Sequence, residues 1–167
     1  MLIEFKDWLA DLGNKPYGSK NFNRALCFRY FFLIPTDWYG NEIKDYDYES
    51  TWFDDVEPGW RKIFLEMCEK IQNVLDYSYN EVDDKFKFVQ IKEKFGELRM
   101  YADGMNDEIY NIIEDCSKKS RLICCECGAP AKWQTTDWIR PYCDSCVPIK
   151  KDGTKYDAIP IKKGIYD

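Results

Sequence analysis

The stretch ICCECGAPAKWQTTDWIRPYCDSCV, Ile123 to Val147, decides how this chain is read. It holds two Cys-x-x-Cys pairs, Cys124/Cys127 and Cys143/Cys146, separated by fifteen residues. Two residues between cysteines let a tight knuckle turn aim both sulfurs at one ion, and this separation falls in the range of two-knuckle zinc ribbons. Gly128, directly after the first pair, supplies the backbone freedom such a turn needs. The span between the pairs has the length to form strands that bring the second knuckle opposite the first. Trp133 and Trp138 are expected in its core. Four thiolates around one Zn²⁺ make a closed tetrahedral site with no position for substrate, so the ion is structural. Cys125 in place of Cys124 would give a poorer Cys-x-Cys knuckle. A 4Fe–4S cluster can also use four cysteines, although even pairing suits zinc better. Thioredoxin-like chemistry usually places one Cys-x-x-C beside a βαβ unit, a pattern absent from this sequence.

The rest of the composition narrows the chemistry. Among 167 residues there are eight cysteines and no histidine, so Ser-His and Cys-His nucleophile pairs and mixed Cys/His zinc sites are excluded. No phosphate-binding loop or nucleophile elbow occurs either, and a non-enzymatic role is expected. Cys27, Cys68 and Cys116 sit singly among apolar residues and read as small buried hydrophobes. With 45% hydrophobic, 17% aromatic and 32% charged residues the chain has the make-up of a packed globule. The longest apolar run, Phe28 to Pro35, is short and holds Arg29, far from the roughly 20 residues a membrane span requires. A cytoplasmic protein with no membrane association is the expectation, with cysteines reduced and free for metal.

Upstream of the cysteines the pattern is α+β: helices packed on a small antiparallel hairpin, with the zinc ribbon at the C-terminal end. Leu2, Phe5, Leu9 and Leu12 predict a helix over residues 2–12, and residues 21–34 predict a buried helix ended by Pro35. Pro58 opens the clearest helix, whose inner face is Trp60, Ile63, Phe64, Met67, Cys68, Ile71, Val74 and Leu75. Residues 86–102 read as a hairpin turning at Phe95-Gly96, with Val89 and Ile91 sharing one face of the first strand and Leu98 and Met100 packing inward from the second. Phe86 and Phe88 have the opposite parity, which predicts a bulge or twist near Phe88. Charged residues along both strands are expected to pair across the hairpin. A further helix, capped by Asn106 or Asp107, presents Ile109, Ile112, Ile113 and Cys116. The predicted organisation is an α+β domain over 1–120, a ribbon over 121–147 and a lysine-bearing tail over 148–167.

The charge is not spread evenly. Residues 36–60 hold eight carboxylates against Lys44 alone, a formal −7, while the whole chain is only −6. The same segment carries Trp38, Tyr39, Tyr46, Tyr48, Trp52, Phe53 and Trp60. Aromatics give contact area and carboxylates steer toward a basic surface. Asp37, Trp38, Asp45, Tyr46, Asp47, Tyr48, Trp52, Asp54 and Asp55 are therefore candidate partner-binding residues, with Arg99 and Tyr101 of the hairpin as a second patch. The competing expectation is a solvated loop whose tryptophans fold back onto the core. The ribbon has no basic stripe, which makes nucleic acid the less favoured partner.

Gly59-Trp60, Lys92-Glu-Lys-Phe-Gly-Glu-Leu-Arg-Met-Tyr101, Cys124-x-x-Cys127-Gly128 and Trp138-Ile-x-x-x-Cys143-Asp-x-Cys146 occur in an order that resembles a family of small uncharacterised proteins of phages, prophages and bacterial genomes. Those proteins join a KFG-x-LR-x-Y hairpin, a helix and a C-terminal cysteine module, and the likeness covers residues 58 to 147. It implies a phage or mobile-element context. In that context the acidic-aromatic segment fits binding, and inhibition, of a host protein such as a defence nuclease or another nucleic-acid-binding complex. The family brings no activity with it, and the sequence leaves the oligomeric state open.

Overall fold

In the computed structural model the described residues are 4–77, 86–154 and 156–162. Helix α1 spans Phe5–Gly13 and turns Trp8 and Leu12 inward, with Phe5 and Leu9 half-buried beside them. It starts later than the periodicity predicts, and Leu2 lies outside the described residues. Helix α2, Lys20–Arg29, is opened by Ser19, whose hydroxyl accepts the Phe22 N–H at 3.2 Å. It does not run to Pro35. The chain leaves the helical region at Tyr30 (φ −128°, ψ 86°) and makes a short 3-10 turn over Phe31–Leu33. The break puts the Tyr30 ring fully inside and lets its hydroxyl donate to Glu69 Oε2 at 2.7 Å, a contact that a continuous helix would have to reach differently.

The acidic segment contains no long element. A 3-10 turn over Trp52–Asp55 is held by a reciprocal cap: Thr51 Oγ1 accepts the Phe53 N–H and the Asp54 carboxylate accepts the Thr51 N–H at 2.7 Å. Pro58–Trp60 then forms a 3-10 turn leading directly into helix α3, Arg61–Tyr77, so the proline sits at the entry as predicted. Trp60, Phe64, Met67, Cys68, Ile71 and Val74 are buried along one face.

Strands β1, Lys87–Lys94, and β2, Glu97–Asp103, pair antiparallel around Phe95 and Gly96, both at positive φ (54° and 76°). This is the backbone that a two-residue hairpin turn demands of both positions. The register steps between Phe88/Ala102 and Gln90/Tyr101, leaving Val89 as the extra residue of a bulge at the place that parity predicts. The bulge also corrects the face assignment. Phe88 and Ile91 point into the core, whereas Val89 is exposed. The expected cross-strand charge pairs are replaced by other partners. Glu97 is buried and paired with Arg99 on its own strand (2.8 Å) and with Arg121, while Glu93 accepts the Gly96 N–H at 2.7 Å.

Helix α4, Asp107–Ser120, starts at Asn106, whose side chain accepts the Ile109 N–H at 2.8 Å. It packs on α3 and on β2, and its Ser120 hydroxyl accepts the Leu98 N–H at 2.9 Å. The centre of the molecule is a ring cluster of Phe32, Phe64, Phe86 and Phe88, with Phe32 5.2 Å from Phe86 and Phe86 5.4 Å from Phe88 between centroids. It ties the 3-10 turn, α3 and β1 together.

The C-terminal part is a three-stranded sheet of β3 (Trp133–Thr135), β4 (Pro141–Tyr142) and β5 (Ala158–Pro160), in the order β4-β3-β5. The tail after 147 thus contributes one strand to this sheet. After a turn in which Lys150 N–H donates to Thr154 O at 2.6 Å, the chain returns and β5 pairs with β3.

Candidate metal centre and acidic-aromatic face

Helix α4 ends at Ser120 and delivers the chain to the first knuckle within a few residues. There the Gly128 N–H donates to Cys124 O at 3.0 Å and the Cys124 N–H to Ala129 O at 2.8 Å, so the loop closes on itself and Gly128 takes φ 79°. The second knuckle follows β4, with the Cys146 and Val147 N–H groups both directed at Cys143 O (3.3 and 3.2 Å). The strands β3 and β4 place the two knuckles face to face. The sulfurs of Cys124, Cys127, Cys143 and Cys146 all lie within 4.8 Å of one another, and those of Cys127 and Cys143 are 3.6 Å apart. A tetrahedral ion with metal–sulfur bonds near 2.3 Å needs sulfurs about 3.8 Å apart. The four cysteines therefore form a cluster geometrically suited to one metal ion.

Cys125 is not part of that cluster. It is fully buried on the other side of the knuckle, where burial first, and then the nearby Glu126, push its thiol up to about 12. Cys143 behaves differently. Burial raises its thiol, but the Ser145 N–H and the Cys127 and Cys146 thiols outweigh it and bring the group down to about 7. Of the four ligand candidates Cys124 and Cys143 are buried, Cys146 is half-buried and Cys127 is exposed.

The cluster is fixed to the rest of the protein through Gly59 and Trp60, which lie far upstream of it in the sequence. The Gly59 N–H donates to Cys125 O at 2.7 Å, and the Trp60 indole N–H donates to Ile123 O at 3.0 Å. The two chains touch so closely that a Cβ on Gly59 would stand 1.9 Å from Cys124 O. Arg140 reaches back to Glu57 at 2.6 Å, and Gly96 of the hairpin turn sits against Ile139. Of the two tryptophans expected in the core, Trp133 packs against it and Trp138 does not. Trp133 is half-buried with its indole N–H on Asp144 at 2.7 Å, and Trp138 is 71% exposed on the turn between β3 and β4.

The candidate partner-binding residues separate into three groups. Asp37 organises its own loop: one carboxylate oxygen accepts the Tyr39 and Asn41 N–H groups, each at 2.8 Å, and the Asn41 contacts hold its carboxyl below the ordinary range. On that loop Trp38 is 96% and Tyr39 87% exposed. Asp45, at φ 57°, is exposed, and Asp47 pairs with Lys20 at 2.5 Å, which lowers its carboxyl. Asp55 is raised by partial burial and by its neighbour Asp54. Tyr46, Tyr48 and Trp52 instead pack against the core. Tyr46 donates to Ser50 O at 2.5 Å, and Arg24 lies 5.1 Å over the Tyr48 ring. Asp54 is engaged in capping. Arg99 and Tyr101 belong to a different surface. Arg99 lines a small cleft with Glu97, Glu114, Lys118 and Arg121, and Lys92 stands over the Tyr101 ring at 5.4 Å.

The sequence reading misses one feature of this face. An open groove of about 870 Å³ runs between the Phe31–Leu33 turn, the loop that follows it and the outer end of the hairpin. Its lining comes from residues 31–48, 86–87 and 103–104, too far apart in the sequence for any periodicity to link them. Among the described residues no helix is long and apolar enough to cross a membrane. No family model, curated protein or solved structure matches this chain.

Proposed function

We propose that the four cysteines hold one structural Zn²⁺ and that the protein is a non-enzymatic binding module for a basic protein surface. All-thiolate coordination, two Cys-x-x-Cys knuckles and a site closed by the protein's own backbone favour zinc over harder cations and leave the ion no catalytic position. The observation that carries the binding role is the 37–41 loop, which its own hydrogen bonds fix while Trp38 and Tyr39 stand in solvent. Exposed aromatics on an ordered loop amid carboxylates give contact area at low ordering cost and exclude anionic partners. A host nuclease or another nucleic-acid-binding complex, inhibited through its basic surface, is the class of partner with matching charge, and a phage-encoded protein would be suited to that role.

Affinity capture from bacterial lysate with the wild-type chain and a Trp38→Ala/Tyr39→Ala variant in parallel tests this reading. A basic protein retained by the first and lost from the second is the expected result. Identical capture by both would contradict it. The ribbon offers less to nucleic acid: Trp138 is exposed, but Lys132, Arg140 and Lys150 are paired with Asp144, Glu57 and Asp157. A gel shift at low salt is expected to show no complex.

A further inference from the structure

The groove beside the 37–41 loop has the composition of a cation site on an apolar floor. Phe32 and Phe86 form its buried base, and Phe31, 48% exposed, and Ile43 form its accessible walls. Three charged residues line it: Glu42, Asp103 and Lys87. Lys87 is turned onto the Gly40 carbonyl. Glu42 and Asp103 are exposed and take part in no ion pair among the described residues.

Elsewhere in the same half of the molecule, aromatic faces beside carboxylates hold an arginine. Arg29 lies 5.0 Å over Trp8 and is paired with Glu69 at 2.7 Å. Arg61 lies 4.0 Å over Tyr17, whose hydroxyl bonds Asp54 at 3.2 Å. A guanidinium satisfies both halves of such a site, its flat face on the ring and its N–H fork on the carboxylate. The groove presents the same two halves with no arginine of this chain seated in it among the described residues.

We propose that this groove takes an extended arginine-bearing segment of the partner protein, with a guanidinium against Phe31 and paired to Glu42 and Asp103. The carboxylates of Glu42 and Asp103 in its lining and the formal −7 of residues 36–60 select for the charge of that segment. The inference rests on the basic-partner reading above and locates the contact, so the two are tested separately.

The experiment titrates the isotopically labelled full chain with an acetylated, amidated Arg-Ala-Arg-Ala-Arg peptide and with its lysine counterpart, at about 0.15 M salt to screen exposed charges. Backbone shifts centred on Thr36, Glu42, Ile43 and Gly104 are expected. The lysine peptide should bind several-fold more weakly, and Glu42→Gln/Asp103→Asn should weaken the arginine peptide about tenfold or more while leaving the melting temperature unchanged. A Phe31→Ala variant should weaken it as well. Shifts confined to Asp45–Asp55, or equal affinity in the double variant, would overturn the groove and leave the basic-partner reading standing. Lack of binding by either peptide would also overturn the groove. Loss of lysate capture in the Trp38/Tyr39 variant is read independently of all these outcomes.

Discussion

At the scale of single residues, Gly59 has the most to teach. The sequence shows only a Gly-Trp pair before a helix, and no local rule explains the glycine. The physical reason lies in another part of the chain: any side chain at this position would occupy the space of the Cys124 carbonyl. The Cys125 carbonyl carbon and the Gly128 nitrogen stand 2.7 Å away as well, and all three atoms are backbone, which cannot swing aside. Gly59→Ala is expected to cost about 3 kcal/mol or more, as overpacking against rigid atoms does, and to weaken metal retention. Gly13→Ala makes the contrast. It ends α1 with open space around it, and alanine there should be neutral or stabilise by up to about 1 kcal/mol. Urea unfolding of both variants checks the pair. The clustering of the four cysteines is legible because their spacing is itself the geometric requirement of a knuckle. The tryptophans were not: Trp133 and Trp138 look alike in sequence, and only the placement of Asp144 and of the β3–β4 turn separates a hydrogen-bonded, half-buried ring from an exposed one.

At the scale of elements, periodicity carries long helices well and fails where an element ends for a tertiary reason. Helix α3 follows its apolar stripe, whereas α2 stops at Tyr30 because the Tyr30 hydroxyl and the Arg29 guanidinium converge on Glu69 of α3. That carboxylate has a testable pH signature. Burial raises its pKa, but the Arg29 and Tyr30 hydrogen bonds outweigh burial and set it below its ordinary value. A group depressed in the folded state contributes stability that is complete above its unfolded pKa and is lost as pH falls through the folded one. Thermal melts are thus expected to lose stability below about pH 4.5. Glu69→Gln should cost about 2 kcal/mol at neutral pH and flatten that acid limb. An unchanged acid limb would show that other carboxylates control it. In the hairpin, the parity conflict at Phe88 correctly locates the bulge, but Val89 does not share a face with Ile91 as expected, because parity alone does not say which residue is the extra one.

At the scale of the whole molecule, the ribbon is built into the body. Its third strand returns from residue 158, and its first knuckle lies on the Gly59-Trp60 turn. Trp60 is fully buried and bonded to Ile123 O, so the packing of α3 and the ordering of the knuckle depend on each other. Chelation of the metal is expected to lower the melting temperature of the entire chain in one cooperative transition and to remove amide exchange protection at Gly59. A ribbon that melts alone, with the helices and hairpin unaffected, would contradict this coupling. The acidic segment shows where composition stops being informative. Its aromatics are divided between core (Phe53, Trp60) and solvent (Trp38, Tyr39), and no local period separates them because caps and long-range packing set the loop's path. The groove is invisible in sequence for the same reason.

The most direct test of the account is the metal content of the purified protein, measured by elemental mass spectrometry on the wild type and on Cys143→Ser/Cys146→Ser. One zinc per chain, lost in the double variant, is the expected result. Absence of metal from the wild type, or iron accompanied by visible absorbance, would contradict a structural zinc centre.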